Sequence, residues 1–413
     1  MILGDIPNIR FMGFMGDWEQ RKAGDIAEYS KGNGYSKRDL TEIGTPIILY
    51  GRLYTKYQFV IDEVDTFADS KEGAVYSQGN EVIIPASGET AEDIARASAV
   101  EKSGILLGGD LNILRPFNFI NPLFLALAIS NGEPQKELAK RAQGKSVVHI
   151  HNSDIQGVSV LYPTRAEQDQ IVSAFRNLDN LIAFNQRKCE EIIELKKYML
   201  LKMFPQNGQK VPELRFAGFT GDWEQRKLID VCDYVDYRGK TPTKTDSGIF
   251  LVTAKNVKDG YIDYEASQEY ISEDDYEEVM HRGKPEIGDV LITTEAPCGN
   301  IAQVNRANIA LAQRIIKYRG HSNCIDNTYL KHYLLSPEFQ NILNAKSSGG
   351  TVKGIKGSIL HQQEIKYPNY KEQVKIGQQL DTLDCLITLH QNKCNALKEV
   401  KKFMLQNMFP QKG

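Results

Sequence analysis

Cationic and aromatic side chains gather in four glycine-containing stretches of the chain, and these residue types suit contact with a polyanion. Glycine and serine let the backbone approach a phosphate, and lysine and arginine neutralise its charge. Arginine also reads base edges through paired hydrogen bonds. The stretches predict nucleic-acid contact, although each one taken alone is more typical of a solvated loop. The candidate residues are Tyr50, Arg52, Tyr54, Lys56, Arg141, Lys145, Arg238, Lys240, Lys346, Lys353 and Lys356.

Motifs that would supply catalysis or bind a metal are incomplete. Asn121-Pro122-Leu123-Phe124 resembles the Asn-Pro-Pro-aromatic motif of enzymes that methylate base amino groups, but it has leucine for the second proline. No glycine-rich cofactor loop precedes it, so we favour a turn that opens a helix. Arg238–Thr241 ends like a phosphate-binding loop, but Tyr234 stands where glycine is needed. His149 and His151 lack an evident third ligand, and we expect no catalytic residue and no metal site.

Composition limits the class of protein. The chain has 413 residues, of which 41% are apolar and 25% charged, typical of a globular protein with two or three domains. No apolar run approaches the ~20 residues that span a bilayer, and the start does not read as a signal peptide. Six cysteines without a CxxC pair indicate reduced thiols and a cytoplasmic protein. The net charge of −3 excludes a uniformly basic binder but allows basic patches.

The chain repeats itself once at an offset of 205 residues. Arg10–Lys22 and Arg215–Lys227, here called the leaders, are identical at eleven of thirteen positions. Glu167–Gln206 and Glu372–Gln411 match at the same offset. The segments between, residues 23–163 and 228–368, are nearly unrelated inserts of equal length. Because the basic stretches that follow residues 140 and 346 occupy equivalent places in the two inserts, the prediction of nucleic-acid contact gains weight.

Each repeat ends in a segment with the pattern of a long helix. Thr164 with Glu167, and Asn369 with Glu372, have the spacing of a capping box, and each segment stops at Phe-Pro-Gln. Apolar residues recur at alternating intervals of four and three, a heptad seam with matching polar interruptions. About 40 helical residues between these signals would span roughly 55–60 Å. The predicted seam includes Ile171, Leu178, Ile182, Cys189, Ile376, Leu383, Ile387 and Cys394.

The repeat predicts an α+β fold in which two mixed α/β domains are separated by an antiparallel coiled coil of the two long helices, with a pseudo-twofold relation. The alternative is two independent domains, each with a tail helix. Pairing would bring the first leader beside the end of the second helix. We expect one helix over Asn327–Asn344 with a counterpart over Asn121–Ser130. The predicted segments are 1–163, 164–206, 207–368 and 369–413.

The repeat and its motifs resemble a known family. The leader Gly221–Leu228 (GDWEQRKL), the paired EQ…LD…I…ELKK…L…FPQ helices and the two divergent inserts are similar to the specificity subunit of type I restriction–modification enzymes. Gly288–Pro297 and Tyr50-Gly51 also resemble runs found in the inserts of that family. The resemblance covers essentially the whole chain.

The resemblance implies a role and partners. Each insert would be a target recognition domain that reads one half of a bipartite site in double-stranded DNA. The helices would dock two methyltransferase subunits, and ATP-dependent restriction subunits would join the assembly. This chain would have no active site and no cofactor, since S-adenosylmethionine, ATP and Mg would belong to partner subunits. The paired helices would act as a ruler, in which one heptad shifts the readers by ~10 Å.

Two other functions stay open at this point. A self-sufficient DNA methyltransferase would bind S-adenosylmethionine as the purified chain. A coiled-coil assembly scaffold would form a complex that selects no DNA sequence. If the chain does bind DNA, the acidic segment Asp263–Glu278 should face away from the phosphates.

Overall fold

The computed structural model describes residues 6–144, 147–206, 208–238, 242–349 and 353–410, which form two compact units. The first unit comprises Met1–Phe184 and Lys393–Gly413, and the second comprises Asn185–Asn392. Each unit contains one insert, one leader and portions of both long helices. Within the described part of the chain, every helix is too short or too polar to span a bilayer.

The two long helices occupy Arg165–Lys202 and Tyr370–Asn407, each 38 residues. At 1.5 Å per residue each is about 57 Å long, as predicted. Both end just before the Phe-Pro pair that prevents a further turn. All eight predicted seam residues are buried or half-buried, whereas neighbours such as Leu181 and Leu386 are exposed. The heptad seam is therefore confirmed.

In the first unit, the start of the first long helix packs on the end of the second. Ile171 and Phe175 share a core with Met408 and Phe409. The rings of Phe175 and Phe409 lie 6.3 Å apart, and farther along Asp179 pairs with Lys401 at 2.5 Å. Because numbers rise on one helix as they fall on the other, the pair is antiparallel.

The second unit repeats these contacts with the roles of the helices exchanged. Met203 shares a core with Ile376 and Leu383. Lys196 forms an ion pair with Asp384, the counterpart of Lys401 with Asp179. Asn185 and His390, the matching polar interruptions of the seam, hydrogen-bond to each other at 2.8 Å. The predicted antiparallel pairing thus holds within each unit.

The leaders are anchored to the long helices by buried ion pairs. Arg10 binds both carboxylate oxygens of Glu167 at 2.6 and 2.7 Å, and Arg215 binds Glu372 at 2.7 and 2.8 Å. Both glutamates are fully buried. The amide of Ile9 also donates to the carbonyl of Asn407 at 3.0 Å. The first leader therefore lies beside the end of the second helix, as the repeat predicted.

The insert of the first unit is built from two sheets and short helices. A buried helix, Pro122–Ile129, is apolar on every side and covers the first sheet. The strands of the first sheet lie in the order Ala27–Lys31, Leu111–Pro116, Glu81–Pro85, Ser98–Val100, Val60–Ile61. The strands of the second sheet lie in the order Leu40–Thr41, Phe67–Ala68, Thr45–Ile48, Ser103–Leu107, Tyr76–Gln78. Two smaller sheets pair Ser87–Gly88 with Val148–His149 and Glu19–Lys22 with Ser159–Tyr162. The other helices are Ala23–Asp25 and Lys37–Asp39 (both 3-10), Arg52–Thr55, Ala91–Ile94, Gly132–Arg141 and Asn152–Gln156.

The insert of the second unit also has two sheets and short helices, with fewer strands in each sheet, despite its unrelated sequence. The strands of its first sheet lie in the order Cys232–Asp236, Ile315–Gly320, Val290–Thr294, Cys298–Gln303. The strands of its second sheet lie in the order Tyr270–Ile271, Ile249–Val252, Ile309–Leu311. A two-stranded sheet pairs Glu224–Lys227 with Glu364–Tyr367. Its helices are Leu228–Val231, Tyr276–Val279, Asn327–Leu335, Pro337–Lys346 and Gly357–His361. In both inserts, a strand of the second sheet pairs antiparallel with one neighbour and parallel with another.

The helix expected over Asn327–Asn344 is wrong in one respect. The structure has two helices there, Asn327–Leu335 and Pro337–Lys346. Ser336 is extended and caps the second helix, and Pro337 occupies its first turn, where a missing amide costs nothing. The counterpart in the first unit is likewise a pair, Pro122–Ile129 and Gly132–Arg141.

Candidate nucleic-acid interface

A loop that follows the second helix of each pair turns back on the sheet in the same way in both inserts. In the first unit, Gln143 bridges to His149, which pairs with Ser87. In the second unit, Ser348 bridges to Gly354, which pairs with Glu295. The predicted equivalence of the two stretches is therefore confirmed. Lys145 and Lys240 fall outside the described residues.

In the second unit, cationic residues line two cavities that have Pro242 and Gln313 in common. One cavity, of about 200 Å³, is lined by Arg238 and Arg282. The other, of about 250 Å³, is lined by Lys244, Lys255 and Arg314. Because they share two lining residues, we treat the cavities as the two ends of one groove.

Lys353 and Lys356 are sequence neighbours of two glycines that lie close to this groove. Lys353 precedes Gly354, whose partner Glu295 forms an ion pair with Arg314 at 2.9 Å. Gly357, next to Lys356, lies so close to Arg238 that an added Cβ would be 2.6 Å from the guanidinium. Both lysines are exposed. Lys346 is the exposed last residue of the helix that leads into the loop.

Arg238 is held in place by Asp236 and its surroundings. Its Nε donates to Asp236 at 2.9 Å, and Arg282 donates to the carbonyl of Arg238 at 2.6 Å. Burial opposes ionisation of Asp236, but the hydrogen bonds from Arg238 hold the pKa of that carboxyl below its usual value. Beneath it, His361 stacks on Tyr234 with ring centroids 3.6 Å apart. The guanidinium is thereby oriented while 47% of the side chain stays exposed.

Acidic residues share the groove. Asp275 and Glu278 line the end that contains Arg238, and Lys244 pairs with Glu269 at 2.7 Å. The helix Tyr276–Val279 therefore borders the groove. That the acidic segment Asp263–Glu278 faces away from DNA phosphates stays a prediction. Carboxylates in such a place can accept hydrogen bonds from the amino group of cytosine.

In the first unit, the stretch that contains Tyr50 and Lys56 is partly engaged in internal contacts. Arg52 donates to Asp65 at 2.5 Å and to the carbonyl of Glu63 at 2.8 Å, and only 9% of its side chain is exposed. Lys56 pairs with the same aspartate at 2.7 Å. The Arg52 side chain is thus a structural cross-link in this conformation, whereas Lys56 is more than half exposed.

The remaining described candidates of the first insert, Tyr50, Tyr54 and Arg141, are half-buried. The Tyr50 and Tyr54 rings lie 6.2 Å apart. Burial raises the pKa of Tyr54, and the nearby negative charges of Glu89 and Asp93 raise it further. Glu89 directly follows the strand Ser87–Gly88, which pairs with Val148–His149, and Asp93 lies in the next helix. Arg141 donates to Glu137 at 2.7 Å and to the carbonyl of Gly157 at 3.1 Å.

The motifs examined for catalysis serve structural purposes. Asn121 caps the helix Pro122–Ile129, accepting hydrogen bonds from the amides of Leu123 at 2.9 Å and Phe124 at 3.4 Å. The interpretation as a turn that opens a helix is confirmed. His149 lies 3.1 Å from the hydroxyl of Ser87, and His151 is the N-cap of a short helix.

One group of possible metal ligands lies among the residues that the structure describes: His332, Asp381 and Asp384. Lysine ammonium groups already neutralise its carboxylates, since Lys331 pairs with Asp381 and Lys196 with Asp384. Burial lowers the pKa of His332 to about 4. Burial opposes ionisation of Asp381, but hydrogen bonds from His332 and Lys331 hold its pKa at about 2. The group is an ion-pair network with little negative charge left for a cation.

The long helices also present apolar side chains to solvent beside the seam. In the first unit these are Leu181, Phe184, Val400 and Phe403; in the second they are Leu386, Leu389, Leu195 and Tyr198. We call these two sets the apolar patches. Every member directly precedes a seam residue, and in an antiparallel pair such positions flank the seam on the same side. The two patches are equivalent under the repeat, and Tyr198 and Phe403 are more than half exposed.

Sequence reasoning missed Arg282, Arg314, Lys244 and Lys255. Each stands singly between residues of other types, so no clustering distinguishes them. Arg282 and Arg314 are more than 40 positions from Arg238 in sequence and approach it only in the folded insert.

Comparison with known proteins adds to this picture. A family model described as the type I restriction modification DNA specificity domain matches the chain twice, over residues 15–194 and 220–399. The type I restriction enzyme MjaVIII specificity subunit of Methanocaldococcus jannaschii is 22% identical over 94% of this chain and 90% of its own length. The putative MjaX specificity subunit of the same organism is 23% identical over 97% of this chain and 92% of its own.

Solved structures share the fold. The S subunit of a type I restriction-modification system from M. genitalium superposes with a TM-score of 0.62 at 14% identity, covering 98% of this chain and 99% of the other. A chain from work on complex assembly and conformational transition of the type I R-M system gives a TM-score of 0.52 at 17% identity, covering 94% and 96%.

Proposed function

Because the chain belongs to the family of type I restriction modification DNA specificity domains, we propose that each of its inserts reads one half of a bipartite DNA target. The family membership carries the DNA-recognition role of a specificity subunit. The division into two half-sites is supported by one observation above all: two inserts of the same fold and nearly unrelated sequence are held in identical frames. Such a pair presents different side chains from equivalent positions, as two readers of different sequences require.

The groove of the second unit is the proposed reading surface of that insert. Arg238 and Arg314 can donate paired hydrogen bonds to guanine, and Asp275 or Glu278 can accept from cytosine. Lys353, Lys356 and Lys346 would contact phosphates, which positions the protein without reading sequence. In the first insert, Tyr50, Tyr54, Lys56 and the loop that ends at His149 would take the corresponding part.

Exchange of one insert tests this proposal. A chain whose residues 23–163 are replaced by the insert of another family member should methylate, within its complex, a target in which one half-site has changed. The other half-site and the spacing should be retained. Sequencing of methylated genomic DNA gives the target directly. A change in both half-sites would contradict independent reading.

The two apolar patches are the proposed docking sites for methyltransferase subunits, one on each unit. Their equivalence under the repeat provides two similar surfaces, which fits two copies of one partner. Exposed apolar side chains of this extent on helices are typical of protein–protein contact. Because each patch flanks the seam, a helical hairpin of the partner could complete a four-helix arrangement there.

Paired charge substitutions in one patch test the docking site. V400E together with F403E should abolish binding of one of the two methyltransferase copies, since it buries two carboxylates in an apolar contact. K402E introduces acidic charge on the opposite side of the same helix and should leave the stoichiometry at two. Native mass spectrometry or light scattering measures the number of copies. Retention of both copies by V400E/F403E would remove the patch from consideration.

We further propose that the chain is not itself an enzyme. S-adenosylmethionine, ATP and Mg²⁺ would act on the methyltransferase and restriction subunits, and the assembly would work on DNA in the cytoplasm. Calorimetric titration of the purified chain with S-adenosylmethionine should show no binding. Saturable binding would instead favour a self-sufficient methyltransferase.

A further inference from the structure

A cavity of about 300 Å³ opens in the first unit beside the end of the second long helix. Ala128, Leu161, Phe409 and Pro410 form its apolar wall, and Glu137 and Lys140 lie on its rim. We call it the Ala128 pocket. It lies at the base of the insert and includes none of the candidate DNA-contact residues or the members of the apolar patches.

The repeat shows what fills the equivalent space in the second unit. Tyr333 corresponds to Ala128, and its ring packs at right angles on Phe204, the counterpart of Phe409, with centroids 5.6 Å apart. A second ring, Phe339, lies 6.0 Å from Tyr333 and corresponds to Pro134. Tyr333 is 2% exposed. The first unit therefore lacks two aromatic rings at the place where the second unit buries them.

The floor of the pocket can bind the hydroxyl of a phenol as well as its aromatic ring. In the second unit the hydroxyl of Tyr329 donates to the carbonyl of Lys366 at 2.6 Å. Burial raises the pKa of Tyr333 to about 12, and the nearby backbone of Lys366 opposes this rise, so the phenol is neutral and close to that backbone. Two tyrosine hydroxyls thus lie beside the backbone of Lys366.

The corresponding peptide groups of the first unit face side chains without a hydroxyl. Leu161 pairs with Gln20 in the same register as Lys366 with Gln225. The same register directs its peptide groups to the same side, where Phe124 and Ala128 replace the two tyrosines. The remaining wall is conserved in position, since Phe124 lies 6.0 Å from Phe409 as Tyr329 lies 5.7 Å from Phe204.

We propose that the Ala128 pocket binds a p-hydroxyphenyl group, namely a tyrosine side chain presented by a partner protein. The ring would pack on Phe409 and Pro410 as Tyr333 packs on Phe204. Its hydroxyl would hydrogen-bond to the peptide groups of Leu161. The occupant is inferred from the second unit, where a tyrosine carried by the protein itself takes the equivalent place. The proposal is independent of how the inserts contact DNA.

Ligand-observed NMR titrations of the full chain test the proposal with three probes: p-cresol, N-acetyltyrosinamide and toluene. The first two should bind saturably to one site, and toluene at least tenfold more weakly because it lacks the hydroxyl. A128Y should abolish binding of both phenols and raise the Tm, since it supplies the missing side chain from within. Y333A should add a second site, provided that its circular dichroism matches that of the parent.

Several results would overturn the proposal. Equal affinity for p-cresol and toluene would show that the pocket is an apolar surface that does not recognise the hydroxyl. Unchanged binding by A128Y would place the probe elsewhere. Binding of p-cresol without N-acetyltyrosinamide would show that the pocket cannot accept a ring attached to a peptide, which excludes a partner side chain. In each case A128Y, which fills a cavity, remains folded and keeps the comparison interpretable.

Discussion

Removing either member of the buried ion pair between Arg215 and Glu372 should destabilise the second unit strongly and unequally. R215A leaves a fully buried carboxylate without its counter-charge, and we expect a loss of about 4–5 kcal/mol. E372A leaves a guanidinium that still donates to the carbonyl of Gly221 at 2.7 Å, and we expect the free energy of unfolding to fall by about 3 kcal/mol. Either loss is a large fraction of the stability of an ordinary domain.

Tryptophan fluorescence can follow the second unit alone. The chain contains two tryptophans, and Trp223 packs on Tyr329 and Phe204 in the second unit, with centroids 6.0 and 6.4 Å away. W18F removes the other, so urea unfolding then reports the free energy of this unit. E224Q breaks an exposed pair with Arg226 and serves as the control, for which we expect no shift in the urea midpoint.

A double substitution separates the pair from its surroundings. R215M with E372M removes both charges and should cost clearly less than the sum of the two alanine variants, because no buried charge is left alone. If E372A shifted the midpoint no more than E224Q, or if the double variant equalled the sum, the leader would not be anchored by this ion pair.

Three further predictions concern pH, spacing and affinity. The pKa of His332 is lowered to about 4 from 6.5, so the free energy of unfolding of the second unit should fall by about 3 kcal/mol between pH 6.5 and pH 4. The variant H332L, which has the leucine found at the equivalent position 127 of the first unit, should lose much less over the same range. Equal losses in urea unfolding would contradict this prediction. Deleting one heptad from a long helix should shift the half-sites by ~10 Å, roughly three base pairs, while both half-sites persist; unaltered spacing in sequenced methylated DNA would refute the ruler. With a net charge of −3, the chain alone should bind DNA weakly in fluorescence anisotropy at physiological salt and tightly once methyltransferase is added; tight binding by the chain alone would contradict this.

The frame of the molecule was readable from the sequence because it depends on local periodicity. The heptad seam and the repeat at one offset predicted both long helices and their antiparallel pairing. The sequence also marked Asn185 and His390 as polar interruptions, and they hydrogen-bond at 2.8 Å. What it did not show is the partner of Lys196, since Asp384 is one of four acidic residues on the second helix and only three-dimensional register selects it.

The candidate interface was less predictable because it depends on long-range contacts. Arg52 stands among aromatic residues in sequence, yet Asp65 and Glu63 bind its guanidinium from a separate turn of the chain. Arg238 stands in the stretch Tyr237–Thr241 with a second cation and a glycine, which marks it as a candidate, whereas Arg282 and Arg314 have no such neighbours and approach Arg238 only in the folded insert. Composition identifies a cation, but folding decides whether it faces a carboxylate or solvent.

Methylation-site sequencing of genomic DNA from cells with and without this chain, in the presence of its methyltransferase, tests the central claim most directly. We predict that one bipartite motif, two short half-sites separated by a fixed number of unspecified base pairs, is methylated only when the chain is present. Methylation that does not depend on the chain, or that falls on a single uninterrupted motif, would contradict the claim that two inserts in repeated frames read two half-sites.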